Sequence, residues 1–485
     1  MKVLGLSLAA AVLVGLSAAA TSPLVPLALL VCAAMGALIV ARPVAGVGLF
    51  VAVVATLPFG VIPVPLAGAQ LTFVDAVVIS TSVVVVARWI FTSATVPVDL
   101  PALALIGFVL VCIAALLSGG AMDPLTPELI RRTGKLLASL LFFIVARGVL
   151  TSTARVVGLT RGLMVAGAVQ GLIGTALMAS SPQTQLNLLT RLAVVGYPTT
   201  DVLRYVPGPN NTYTDQLRAI GTSIDPNVFG GTLMLSLALI VVQWASPRPI
   251  LRKWLLVLLA IPTSAGVLLS LSRASWLGLA VALGLIGLLC YRRILVLGLL
   301  GAAAVLAAPS GQALVSRFVN GFSSADPATA FRFGEYTNAL TLLSRYPVLG
   351  IGFGGSPDID VTAGVSSVYL LVGEQTGLIG LSVFLVAVVA TWMIGLRGLR
   401  SGGDARIRGV RAAFLAAVTG AMVTGLLDQY FANLAFPHAV ALFWLYAAAL
   451  IAVSGSAGAL ALRDAEPERA AAVGSATLRA DPTPV

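Results

Sequence analysis

Apolar runs of about 15 to 25 residues recur along the whole chain, separated by connections in which Gly, Pro and Arg collect. An apolar run of about 18 residues or more spans a bilayer as a helix, because a helix satisfies its own backbone hydrogen bonds where no water can. The runs predict helices near 3–20, 24–41, 45–63, 71–91, 101–118, 133–150, 156–179, 227–246, 252–271, 274–290, 294–308, 368–396, 409–427 and 434–454. The expected fold class is all-α: a polytopic α-helical membrane protein with about 12–14 transmembrane helices. Residues 1–462 form its single helical domain, and the alternation of a membrane barrel is absent. The apolar run from Trp254 to Cys290 is long enough for two helices, and its one charge is Arg273.

Composition agrees. Of 485 residues 59% are hydrophobic and 10% charged, where a soluble domain carries about 25% charged residues; the mean hydropathy is +1.02. The first segment, MKVLGLSLAAAVLVGLSAAATS, reads either as a retained helix or as a cleaved signal peptide. With the N-terminus inside, the short cytoplasmic connections hold Arg42; Arg88; Arg147, Arg155 and Arg161; Arg248, Arg252 and Lys253; Arg292 and Arg293; and Arg397, Arg400, Arg406, Arg408 and Arg411. Every inside connection is then basic, as the positive-inside rule requires, and both termini are expected in the cytoplasm. The net charge of +11 therefore reflects topology, and no nucleic-acid partner is expected. The polar, Pro/Ala-rich tail 463–485 reads as a disordered cytoplasmic end. Cys32, Cys112 and Cys290 fall in predicted spans without metal-type spacing, so no disulfide, metal site or cofactor is suggested.

Two extracytoplasmic loops are long, about 180–226 and 309–367, and long loops in compact proteins are usually functional or disordered. The first holds Arg191, Asp201, Arg204, Asp215 and Arg218 with Tyr197, Tyr205 and Tyr213; the second holds Arg317, Asp326, Arg332, Glu335 and Arg345. These arginines run against the positive-inside bias. They read either as solvated loop charges or as a fork of donors for phosphate oxygens, and on that face the natural anion is a lipid-linked phosphate or diphosphate. Arg273 belongs to the outer turn of the 254–290 run, beside Ser270, Ser272 and Ser275, either facing a ligand or snorkelling to the interface. Asp75, Asp225, Glu374 and Asp428 lie near helix ends on the same outer side, for pairing or for proton transfer. In GTSIDPNVFGG (221–231), Asp225 and Asn227 stand at a helix entrance, as a cap or as part of a phosphate site. Asp326-Pro327 starts a helix with an apolar face of Phe333, Tyr336, Leu340 and Leu343. Gly350, Gly352 and Gly355 match G-x-G-x-x-G, but a dinucleotide site needs a preceding strand; here the glycines suit a tight turn or a close approach to a ligand.

The ordered segments RAIGTSIDPNVFGG (218–231), LSRASWLGL (271–279), RYPVLGIGFGG (345–355) and SSVYLLVGEQTGLIG (366–380) resemble the O-antigen ligase and O-antigen polymerase superfamily over about 215–395. The resemblance implies a membrane glycosyltransferase at the outer face of the cytoplasmic (inner) membrane. It would transfer or polymerise a polyprenyl-diphosphate-linked glycan, of the undecaprenyl type, in surface or cell-wall polysaccharide assembly. Its partners would be that donor, a glycan or lipid acceptor, membrane lipids and polysaccharide-assembly proteins. The resemblance carries donor-binding or catalytic roles to Arg218, Arg273 and Glu374, with Arg332, Arg345, Asp225, Asn227, Ser366 and Tyr369 in substrate binding. Family ligases place His at the position of Ser366; the sole His here is His438, which the sequence offers either as a relocated base or as a packing residue. The alternative classes are a glycolipid or small-anion transporter and a non-catalytic membrane partner of a wall-assembly complex. No repeat is visible, and the notable charges gather toward the outside, which favours interfacial chemistry.

Overall fold

The computed structural model describes residues 24–62, 70–92, 95–120, 124–208, 212–307, 312, 327–358, 360–400 and 404–455. The expected first helix, the start signal at Asp326, Arg317 and the tail 463–485 lie outside them. The described residues form fifteen α-helices and one small hairpin. The helices are α1 (Leu24–Ala41), α2 (Pro43–Thr56), α3 (Phe73–Thr92), α4 (Leu100–Gly119), α5 (Pro127–Val149), α6 (Thr153–Met178), α7 (Pro182–Thr190), α8 (Pro226–Ala245), α9 (Lys253–Leu269), α10 (Arg273–Leu289), α11 (Arg292–Ala307), α12 (Pro327–Arg345), α13 (Val368–Arg400), α14 (Ala405–Thr424) and α15 (Pro437–Ser454). Among them seven are long and apolar enough to cross a membrane, namely α3, α4, α6, α8, α13, α14 and α15, and α2, α9 and α10 are shorter apolar helices. The chain is a multi-pass, all-α membrane protein.

Several helices begin where the sequence supplies a side-chain acceptor, often with a proline after it. Asp225 caps α8, its Oδ1 accepting from the amides of Asn227 (2.8 Å) and Val228 (3.0 Å), with Pro226 following. Asp99 caps α4 and Thr126 caps α5 in the same way. α8, α14 and α15 form the centre, buried over most of their length. α5 and α13 pack on α15, α10 on α14, and α9 and α6 beside α8. Small residues let these backbones approach: Gly278 of α10 lies against Gly420 of α14, and Gly171 of α6 against Pro262 of α9.

At the end opposite the long loops, Arg411 of α14 is buried and donates to the carbonyls of Gly398 and of Val453 (2.8 and 3.1 Å), tying together the last turns of α13 and α15. A guanidinium serves here because helix C-termini leave carbonyls without partners.

The first long loop is folded rather than open. It contains α7, a 3₁₀ turn (Arg191–Val195) and the antiparallel hairpin β1 (Arg204–Pro207) and β2 (Tyr213–Arg218). The apolar runs do not announce these pieces, because they are short and stabilised by packing on the helices beneath; Ala219 N, for example, donates to Leu269 O at 2.9 Å.

α13 carries the fold's main irregularity. At Gly377 the backbone leaves helical geometry (φ 66°, ψ −170°), dividing the helix after its second turn. The 346–352 turn fills the break: Ile351 N donates to Glu374 O (2.9 Å), Gly352 N to Gln375 O (3.1 Å), and Leu378 N to Pro347 O (2.7 Å). Gly350 (φ 67°) and Gly352 (φ 80°) make this contact, since a side chain at either would meet backbone. Gly350 and Gly352 thus make a tight turn, and the backbone they approach is that of α13 and α4.

Candidate active site

Four stretches distant in sequence meet beside the N-terminus of α8: the hairpin, the α9–α10 turn, the start of α12 and the 425–430 segment. Arg218, the last residue of β2, anchors the meeting. Its Nε donates to Ser270 O (2.9 Å) and its Nη2 to Asn227 Oδ1 (2.6 Å). Asp225 holds the amide of Asn227, so the α8 cap also orients the guanidinium. Arg204 stands directly opposite Arg218 in the hairpin and donates through Nε to Ile224 O (3.3 Å). Opposed residues of an antiparallel pair share a face, and like charges there are unfavourable unless an anion joins them.

Ser270 belongs to the tight reversal between α9 and α10, where Leu271 is left-handed (φ 52°). Arg273 is the first residue of α10 and half-buried, with Ser272 as the cap and the Ser272 and Ser275 hydroxyls 2.9 Å apart. Trp276 donates its indole N–H to Val267 O (2.9 Å) within the turn. The contact between Arg218 and Ser270 therefore fixes the Arg273 turn against the hairpin.

From the other side α12 brings Arg332, whose Nη2 lies 3.9 Å from Asp428 Oδ2. Asp428 is buried, its Oδ1 accepts from Gln429 N (2.9 Å), and Oδ2 has no hydrogen-bond partner. Burial pushes its carboxyl up to about 7; Arg332 and Arg218 pull the value down and Asp225 raises it. Arg332 thus pairs with one buried acid, and Arg218, from the other loop, acts on it electrostatically. Tyr430 is also buried, beside Ser275 and facing Gly231 of α8, and desolvation holds its phenol protonated.

Ser366 lies at the start of α13, stitched to α12: its N–H donates to Glu335 Oε2 (3.0 Å) and its carbonyl accepts from the Tyr336 hydroxyl (3.3 Å). Glu374, 2% exposed, accepts from Gly364 N through Oε1 (2.7 Å), while Oε2 has no hydrogen-bond partner. It thereby holds the strand of chain leading to Ser366. Tyr369 donates its hydroxyl to Met422 O (2.9 Å) in the last turn of α14.

Arg345 stands apart. It pairs with Asp358 (2.7 Å) and Asp360 (2.9 Å), which raise its own pKa and hold Asp360 below the usual carboxylate range. Arg332 is thirteen residues earlier on the same helix, about 20 Å away at 1.5 Å per residue. Asp75 is occupied by Lys135 (2.5 Å) and the amide of Thr72 (2.8 Å). His438 is buried with its ring edge-on to Phe59 at 4.7 Å between centroids. Glu335 and Tyr336 carry site contacts, although the sequence marked them only as a loop charge and as part of an apolar helix face; Tyr430 was missed, its one sequence sign being its place two residues after Asp428, just past a helix end.

Fold and site together define a polytopic helical membrane protein in which several arginines and a buried acid gather at the mouth of the helical core. A family model described as O-Antigen ligase matches residues 255–385, which include Arg273, Arg332, Ser366 and Glu374, and supports placing the chain in the O-antigen ligase and polymerase superfamily. No curated protein matches the chain significantly. Membrane glycan processing of the ligase or polymerase type is the activity of that family.

Proposed function

We propose that the protein transfers a glycan from a polyprenyl diphosphate to an acceptor hydroxyl at the outer face of the cytoplasmic membrane, with both termini inside. The observation that carries this reading is the convergence of Arg218 and Arg332, from two loops, on Asp428. Arginine forks match phosphate oxygens bidentately and remain charged at any working pH. Arg218, Arg273 and Arg332, with Arg204 behind them, bind the diphosphate and stabilise its charge as the anomeric carbon–oxygen bond breaks and the electron pair leaves on the diphosphate oxygen. Asn227 and Asp225 orient Arg218. The acceptor oxygen bonds to the anomeric carbon from the opposite side and gives its proton to Asp428, whose raised pKa suits a base near neutrality. Glu374, Ser366 and Tyr369 position the acceptor segment, Glu374 through Gly364. Arg345 serves the donor only from a distance, holding the end of α12 through Asp358 and Asp360.

Transport is the rival with one structural trait in its favour, the broken α13, since transporters coordinate cargo at helix breaks. Here the exposed carbonyls of the break are taken by Ile351 and Gly352, which favours transfer.

The test is to deplete the protein from cells and size the lipid-linked glycans beside the surface polysaccharide. Diphosphate-linked donor accumulating outside, with short or unattached polymer and no rescue by Arg273→Ala, is the expected result. Donor trapped on the cytoplasmic face, or full rescue by Arg273→Ala, contradicts it.

A further inference from the structure

A second apolar feature lies away from the arginine site. α2 and α6 leave between them a groove of about 780 Å³, lined by aliphatic and small side chains of both helices and by Arg155 and Arg161. That volume is within the usual range for ligand pockets, about 300–1,000 Å³. The wall is shaped by glycine: a side chain added at Gly48, Gly158 or Gly162 would meet nothing within 4 Å. Among the described residues, the groove is therefore open space that no neighbouring helix fills.

Its polar decoration is one-sided. Three helices, α3 to α5, separate α2 from α6, and if each reverses the chain the two run the same way. Val44 and Arg155 then lie toward the same end, and Arg42 immediately precedes α2 there. From Val44 to Thr56 the groove rises about 18 Å at 1.5 Å per residue, more than half of the roughly 30 Å hydrocarbon core. An apolar slot one leaflet deep with cations at its mouth has the shape of one lipid. Arg155 donates to Val149 O and to Thr151 Oγ1 (2.8 Å each), and Arg161 to Ile250 O (3.0 Å). Those bonds pin the guanidiniums at the mouth while using only part of the five donors each carries.

We infer that this groove binds an anionic glycerophospholipid, one acyl chain lying against Gly48, Ala52, Gly158 and Gly162 and the headgroup phosphate held by Arg155 and Arg161. The site is independent of the transfer reaction. Arginine over lysine is the appropriate choice, because the planar fork pairs with two phosphate oxygens at once, and basic pockets between membrane helices select anionic headgroups.

Native mass spectrometry of the full-length protein in detergent, titrated with phosphatidylglycerol or phosphatidylcholine, tests this. The wild type should retain phosphatidylglycerol at least tenfold better than phosphatidylcholine. Gly158→Leu, which fills open space and leaves the helix contacts intact, should lose the bound lipid, and Arg155→Gln with Arg161→Gln should bind both lipids equally. Equal retention of the two lipids by the wild type, or undiminished phosphatidylglycerol on Gly158→Leu, overturns the inference. So does a polyprenyl phosphate, in place of a glycerophospholipid, as the species lost from Gly158→Leu.

Discussion

Arg218 shows how a residue acquires a role through what holds it. Its Nε and Nη2 are spent on Ser270 O and Asn227, so its position is set before any ligand arrives. Preorganised donors of this kind are worth about 10²–10³ in turnover when removed, so Arg218→Ala should slow glycan transfer by about that factor. Asn227→Ala should cost less, with the loss appearing chiefly in donor KM; steady-state assays of the purified variants separate the two. Asp428 sets the pH response. As a base it must be ionised, so activity should rise through about pH 7 and level off above it, and Asp428→Asn should remove that rising limb in a pH–rate profile. The sign for stability is the reverse: a folded value raised above the ordinary carboxylate range favours the fold fully at low pH, and the benefit is lost as pH rises through about 7. The individual arginines stood out in the sequence because, in the orientation expected from it, they run against the positive-inside pattern. What could not be read was their pairing. Arg332 and Asp428 are neighbours only because α12 folds over the end of α14, and nothing in their spacing says so. Arg345 looked equivalent to Arg332 in the same loop, yet helix length separates them and Asp358 and Asp360 engage it.

Among the elements, α13 depends most on one position. Gly377 adopts a left-handed φ with extended ψ, which only glycine takes without strain, and the backbone around Val348 and Leu349 fills the place of a side chain. Gly377→Ala should therefore destabilise the protein by about 2–3 kcal/mol or more, lowering the thermal midpoint and loosening the Glu374 segment, while Gly355→Ala, in open space, should be silent. A thermal melt of both variants checks the contrast. Arg411→Met tests the other end: with the carbonyls of Gly398 and Val453 left unsatisfied, the ends of α13 and α15 should exchange faster, read by hydrogen exchange. The apolar runs located the long helices well, since length and hydropathy alone make a span. They could not show the break at Gly377, because Gly inside an apolar run is equally compatible with close helix packing. They also passed over the 204–218 hairpin, whose strands are too short to carry a pattern.

At the scale of the whole molecule, the central helices are buried and the candidate-site residues collect at one mouth, where loops from the middle and end of the chain interlock. That arrangement suits a reaction at a membrane surface more than passage through it. It also fits the topology expected from the sequence, in which most basic residues sit inside and a few arginines face out. The most direct measurement is a reconstitution: the purified protein in liposomes, given a polyprenyl-diphosphate-linked glycan and an acceptor glycan, followed by release of free polyprenyl diphosphate. The account predicts release coupled one for one to glycan transfer by the wild type, and about 10²-fold less by Arg218→Ala. Glycolipid crossing the bilayer with its diphosphate bond intact, or release that Arg218→Ala leaves unchanged, would contradict it.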